Sequence, residues 1–113
     1  MVASEHPDRA AYQNHVETLR DPSHVRALPL SELLRIVAEA GVEVESVYTE
    51  ARAQDTERWL ANAHTPDERA SEIRELLERD ATHDLSALRP VRRDGQLTFT
   101  HQMAVVVGRK LSE

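Results

Sequence analysis

Residues 97–107 set the terms for any fold this chain can adopt. In an extended backbone Leu97, Phe99, His101, Met103, Val105 and Val107 point one way, and Thr98, Thr100, Gln102, Ala104 and Val106 point the other. The two-residue period holds for eleven positions. From Met103 to Val107 both faces are apolar, which predicts a strand end covered on both sides. Asp94-Gly95 just ahead is a turn signal, and Gly108-Arg109-Lys110 is expected to exit to solvent. Such a strand needs partners.

The chain offers one other strand. Val42-Glu43-Val44-Glu45 alternates apolar and polar, with the phase slipping at Val47-Tyr48. The pattern predicts a half-buried strand of about ten residues, with a bulge. The two strands are expected to pair antiparallel. Two strands alone make a poor sheet, so either a second chain completes it or the chain is a piece of something larger.

Helices account for most of the rest. Pro7 suits the first turn of a helix over 8–19, with Ala11, Tyr12, His15, Val16 and Leu19 on one face. A second helix is expected over 31–40. Ser31 is its N-cap, Leu33, Leu34, Val37 and Ala38 form its apolar stripe, and Gly41 lies just past its end. Asp55 caps a short helix over 55–62 that carries Trp59, the only tryptophan. Thr65, Pro66 and Glu68 make a capping box for a helix that runs to Arg79, and 83–89 form a further helical turn before Pro90. The class is α/β, or α+β as an isolated piece: one domain over 1–113, with two antiparallel strands and about four to five helices.

Composition removes several kinds of function. Apolar residues are 40% of the 113 and aromatics 4%, so the core must be built mainly from Leu, Val, Ala and Ile. A formal net charge of −6 without a Lys/Arg cluster argues against nucleic acid or an anionic membrane as partner. With no cysteine there is no disulfide, thiolate zinc site, iron–sulfur cluster or cysteine nucleophile. His6, His15, His64 and His83 lack the spacing of a ligand set, so no metal site is expected. No apolar run reaches the ~20 residues of a membrane span. The first residues do not read as a secretory signal. A cytoplasmic protein is the simplest expectation.

The polar chemistry concentrates in Glu17-Thr18-Leu19-Arg20-Asp21-Pro22-Ser23-His24-Val25-Arg26. Asp before Pro is a turn signature, and Pro22 keeps Asp21 out of the preceding helix. A capped turn explains Asp21 and Pro22 fully; it explains His24 and Arg26 less well. Adjacent Asp21, Ser23 and His24 cannot converge as a hydrolase triad.

Taken with the Leu-rich helix ending in Ala40-Gly41, the Val-rich strand, Trp59, Asp94-Gly95 and the closing Val-rich strand before Arg109-Lys110, the run Leu19–Arg26 resembles the C-terminal part of class I S-adenosylmethionine-dependent methyltransferases. The bacterial ubiquinone/menaquinone-biosynthesis type is the likeness. The resemblance implies that residues 42–54 and 96–107 are strands six and seven of a Rossmann-like sheet. Residues 55–89 would be the insertion over the substrate side, and 7–19 the segment after strand five. It also implies S-adenosylmethionine as cofactor. The family holds that cofactor in a glycine-rich turn, and none of Gly41, Gly95 and Gly108 sits in one. The cofactor-binding half is therefore expected to be absent, and the chain is not expected to bind the cofactor or to methylate alone.

On this likeness His24 would be a base or hydrogen-bond donor oriented by Asp21. Arg20, Ser23 and Arg26 would meet a small-molecule substrate carrying a carboxylate or enolate. Trp59 and His101 are weaker substrate-side candidates, more simply read as a packing anchor and a satisfied core histidine. The alternative is a stand-alone homodimeric module that closes its sheet with a second copy and binds a small ligand.

Overall fold

The alternating stretch is the centre strand of the sheet. The computed structural model describes residues 1–112. In chain order its elements are α1 (Pro7–Arg20), α2 (Leu30–Glu39), β1 (Val42–Asp55), α3 (Thr56–Asn62), α4 (Asp67–His83), β2 (Val91–Arg93) and β3 (Gln96–Lys110). The strand order is β1-β3-β2, with both pairings antiparallel. This is a mixed α/β arrangement, as the sequence implies.

Local chemistry sets most boundaries. Pro7 opens α1, Asp8 and Arg20 lie at the dipole-matched ends, and the helix stops where Pro22 disfavours a helical Asp21. Gly41, at φ +85°, supplies the left-handed turn after α2. Asp55 Oδ1 accepts from the Arg58 amide at 2.9 Å and starts α3. Asp94 and Gly95, at φ +50° and +80°, make the two-residue turn joining β2 to β3.

Several expectations need correction. The sheet has a third strand, β2, too short to show a period. The stretch expected to form a helical turn at 83–89 is irregular past His83, because Asp84 turns left-handed at φ 53° and Asp80 accepts from the Leu85 and Ser86 amides. Ser31 does not cap α2; its amide and hydroxyl both donate to Glu5. Nor does Thr65 cap α4: its hydroxyl donates to the Arg20 carbonyl at 3.0 Å. Gly108–Lys110 does not leave the sheet but pairs with Val42–Val44, and β1 runs to 14 residues. The bulge falls between Val44 and Ser46, ahead of the visible phase slip.

The core lies between the first half of β3 and the helices. Val16, Trp59, Leu60, Ile73, Leu77, Leu88, Leu97 and Phe99 are buried together, with Trp59 edge-on to Phe99 at 4.8 Å between centroids. The buried face of α1 is rotated from the expected one. Gln13, Val16 and Glu17 are inside, whereas Ala11 and His15 are exposed.

That core face continues along β3 without cover. Residues two apart share a face, as do cross-strand partners. Met103, Val105 and Val107 therefore extend the face of Leu97, Phe99 and His101, and Tyr48 joins them opposite Val105. Yet Tyr48 is 62% exposed, Val105 59% and Val107 43%. The expectation that this strand end is covered on both sides does not hold within the described residues. Helix α2 is strongly amphipathic in sequence and likewise buries no residue fully. The molecule is drawn out to 54 × 25 × 24 Å by this projecting end.

Candidate functional site

The polar run meets the core through one face of α1. Gln13, Val16, Glu17 and Arg20 stand at i, i+3, i+4 and i+7, so a single helix stripe carries them. Glu17 reaches across to β3, where His101 Nε2–H donates to Glu17 Oε1 at 2.7 Å. Both side chains are almost fully buried. His101 is walled by aromatics, with ring centroids 5.2 Å from Phe99 and 5.9 Å from Trp59. Arg20 closes the other side of Trp59. Its guanidinium carbon sits 4.5 Å from the indole centroid, and its Nε–H donates to the Trp59 carbonyl at 3.0 Å.

The turn after α1 is held by Asp21 and Asn14. Asp21 Oδ1 accepts from the Ser23 amide at 3.0 Å and the Ser23 hydroxyl at 2.7 Å. These two donors hold the Asp21 carboxyl below the usual carboxylate range. Asn14 Oδ1 accepts from the Ala27 amide at 2.7 Å, and its Nδ2 donates to the Ala10 and Ala27 carbonyls. These bonds fix the amide orientation, so His24 Nε2–H must be the donor in its 2.8 Å contact with Asn14 Oδ1. Arg26 forks onto both oxygens of Glu32, at 2.7 and 3.3 Å, and depresses that carboxyl.

The structure thus brings Arg20, Trp59 and His101 together and sets Asp21, Ser23, His24 and Arg26 apart from them. The residue that orients the His24 ring is Asn14, not Asp21, because the Asp21 carboxylate is spent on its own turn. Both arginines offered for a substrate anion are engaged within the chain, Arg20 on Trp59 and Arg26 on Glu32. The residues that sequence reasoning gave no role are Gln13, Asn14 and Glu17. The stripe spacing from Gln13 to Arg20 carried that signal for Gln13 and Glu17, not for Asn14, but a carboxylate on a core face reads as surface until its partner is known. No group of His, Asp and Glu among the described residues is arranged to hold a metal ion.

Comparison with known proteins bears on the fold. No protein-family profile matches the chain. It is 30% identical over 93 residues to YafE, an uncharacterized protein of Escherichia coli K12, a match covering 82% of this chain and 44% of that one. Among solved structures, a candidate methyltransferase from Bacillus halodurans C-125 (BH2331) superposes with a TM-score of 0.87 at 26% identity, over 98% of this chain and 53% of its own. YcgJ from Bacillus subtilis superposes at 0.78 with 22% identity, over 98% of this chain and 49% of its own, a likeness of fold. The chain therefore has a methyltransferase fold over the part it spans, about half the length of each of these proteins.

Proposed function

We propose that these residues form the substrate-side, C-terminal portion of an S-adenosylmethionine-dependent methyltransferase of the ubiquinone/menaquinone-biosynthesis type, acting on a small molecule. The observation that carries this reading is the second edge of β3. That edge pairs with β2 only at Gln96–Thr98 and is met twice more, where the Thr100 amide donates to the Leu88 carbonyl and at the Val2–Gln102 bridge. From Met103 to Lys110 no described strand pairs with it, and the adjoining core face is bare. A strand from a cofactor-binding portion would satisfy that edge and cover Val105 and Val107.

The residues present do not themselves make a cofactor cradle. Gly41 ends a helix, Gly95 sits in a hairpin turn and Gly108 lies mid-strand against Val42. None follows a strand into a helix N-terminus, the arrangement that holds a nucleotide-like group. Asp55 ends β1 but is used as a helix cap. We derive no methyl-transfer step from this chain. Its own contribution would be to bind and orient the acceptor. With His24 Nε2 donating to Asn14, the other ring nitrogen, Nδ1, is the acceptor in neutral imidazole and could take an acceptor proton. The Arg20–Trp59 and Asp21–Ser23 contacts brace the segment from which His24 projects.

The test is a calorimetric titration with S-adenosylhomocysteine of this chain, and of the same chain joined after the first half of the Bacillus halodurans protein. The expected result is no binding by the former and one-site binding by the latter. One-site binding by the chain alone, or none by a folded fusion, overturns the reading.

A further inference from the structure

A small cavity of about 80 Å³ opens beside the Val2–Gln102 bridge, where the paired part of the β3 edge ends. Val2, Ser4, Gln13, Ala87, Thr100 and Gln102 line it, and no lining residue is charged. Gln13 is 2% exposed, yet its carboxamide has one hydrogen bond among the described residues, from Nε2 to the thioether of Met1 at 3.6 Å. A thioether is a weak acceptor. A buried amide with so weak a partner favours a ligand that completes its hydrogen bonding. Neither the Thr100 hydroxyl nor the Gln102 carboxamide is engaged with another described side chain. The site therefore offers the under-bonded Gln13 carboxamide in a mainly apolar wall with no charged residue.

The geometry points to this cavity as a binding site for the neutral polar end of a small molecule, a carboxamide, carbonyl or hydroxyl, read by the Gln13 carboxamide. The size fits that end alone: an apolar cavity of roughly 150 Å³ accepts a whole benzene ring. An anion is disfavoured. Burying a carboxylate among uncharged partners leaves its desolvation unmatched, and the lining holds no charged residue to offset it. That differs from the anionic acceptor which Arg20 and Arg26 suggest in the sequence. Identifying the ligand as the methyl acceptor rests on the proposed function, since the cavity borders the edge on which the cofactor-binding portion would dock. The binding itself does not.

The test compares benzamide and benzoate, alike in shape and different in charge, by two-dimensional nitrogen–proton NMR on the full chain. Benzamide should shift the Gln13 side-chain amide and the Thr100 and Gln102 backbone amides at millimolar concentration. It should bind about tenfold more tightly than benzoate, the scale set by one unmatched polar contact. Gln13→Met keeps the volume and removes the amide, and should bring benzamide down to the level of benzoate. Equal affinity for the two probes, no shift with benzamide, or unchanged benzamide binding by a folded Gln13→Met chain overturns the inference. Failure of the fusion to bind S-adenosylhomocysteine, with benzamide discrimination intact, would overturn the methyltransferase reading and leave the neutral-ligand site standing.

Discussion

His101 on β3 and Glu17 on α1 share a hydrogen bond of 2.7 Å, with both side chains shut off from solvent. The pair ties α1 to the centre strand at the point where the helices stop covering it. Removing one partner strands the other in an apolar surround. We expect Glu17→Ala and His101→Ala each to cost about 3 kcal/mol. The double substitution Glu17→Met/His101→Leu should cost less than either, because nothing polar is then left unpaired. Urea unfolding of the three variants checks this, and a double variant less stable than both singles would contradict it.

Arg20 does two things that lysine cannot do together: it lies over the Trp59 indole and donates from Nε to the Trp59 carbonyl. Arg20→Lys should lose about 1 kcal/mol. Because Trp59 is the only tryptophan, its fluorescence reports the change directly. We expect a shifted emission in the folded state with a cooperative unfolding transition retained. An unshifted spectrum would mean the guanidinium does not sit on the ring.

Asn14 holds the loop that follows α1, accepting from Ala27 and His24 and donating to Ala10 and Ala27. Asn14→Leu should cost about 2 kcal/mol and expose the Ala27 amide to faster hydrogen exchange. Asn14→Asp keeps both acceptor contacts and should cost less. Equal losses in the two variants would show that donation to Ala10 and Ala27, not acceptance from Ala27 and His24, secures the loop.

Glu57 is forked by Arg74 at 2.8 and 2.9 Å, and this pairing holds its carboxyl below the ordinary range. A depressed folded-state pKa stabilises the fold above the ordinary carboxylate range, and the gain is lost as pH falls through the folded value. Both side chains are largely exposed, so the contribution should stay below about 1 kcal/mol. Stability of the native chain relative to Glu57→Gln, measured from about pH 6 to about pH 3, should shrink toward zero at the acid end. A difference that grows on acidification would refute the assignment.

What the sequence discloses depends on how local the determinant is. The Asp94-Gly95 turn, the Asp55 cap, Gly41 and the two-residue period of β3 depend on neighbours along the chain, and all are found as expected. Ser31 and Thr65 have the composition of caps, but they spend their hydroxyls on Glu5 and on Arg20, residues distant in sequence. The face of α1 is misread for the same reason. Glu17 is inside only because His101, 84 positions later, gives its carboxylate a partner. The site residues follow this division: the Asp21–Pro22–Ser23 turn is legible in the run itself, whereas the Arg20–Trp59 contact and the His24–Asn14 bond belong to the tertiary fold.

The bare end of the core face sets the last expectation. Val105 lies on the same side of β3 as the buried Phe99, opposite Tyr48, and is 59% exposed next to an edge that no described strand pairs from Met103 onward. Apolar surface beside open strand edges is a template for pairing with another chain. Light scattering of the chain at moderate concentration should therefore report association beyond the monomer. Val105→Glu should reduce it while changing stability by no more than about 0.5 kcal/mol, as a side chain already exposed has little burial to lose. A monodisperse monomer before substitution would show that the edge does not pair with its own copies. The homodimeric alternative would then fail, while the proposed strand from a cofactor-binding portion would remain the occupant to test.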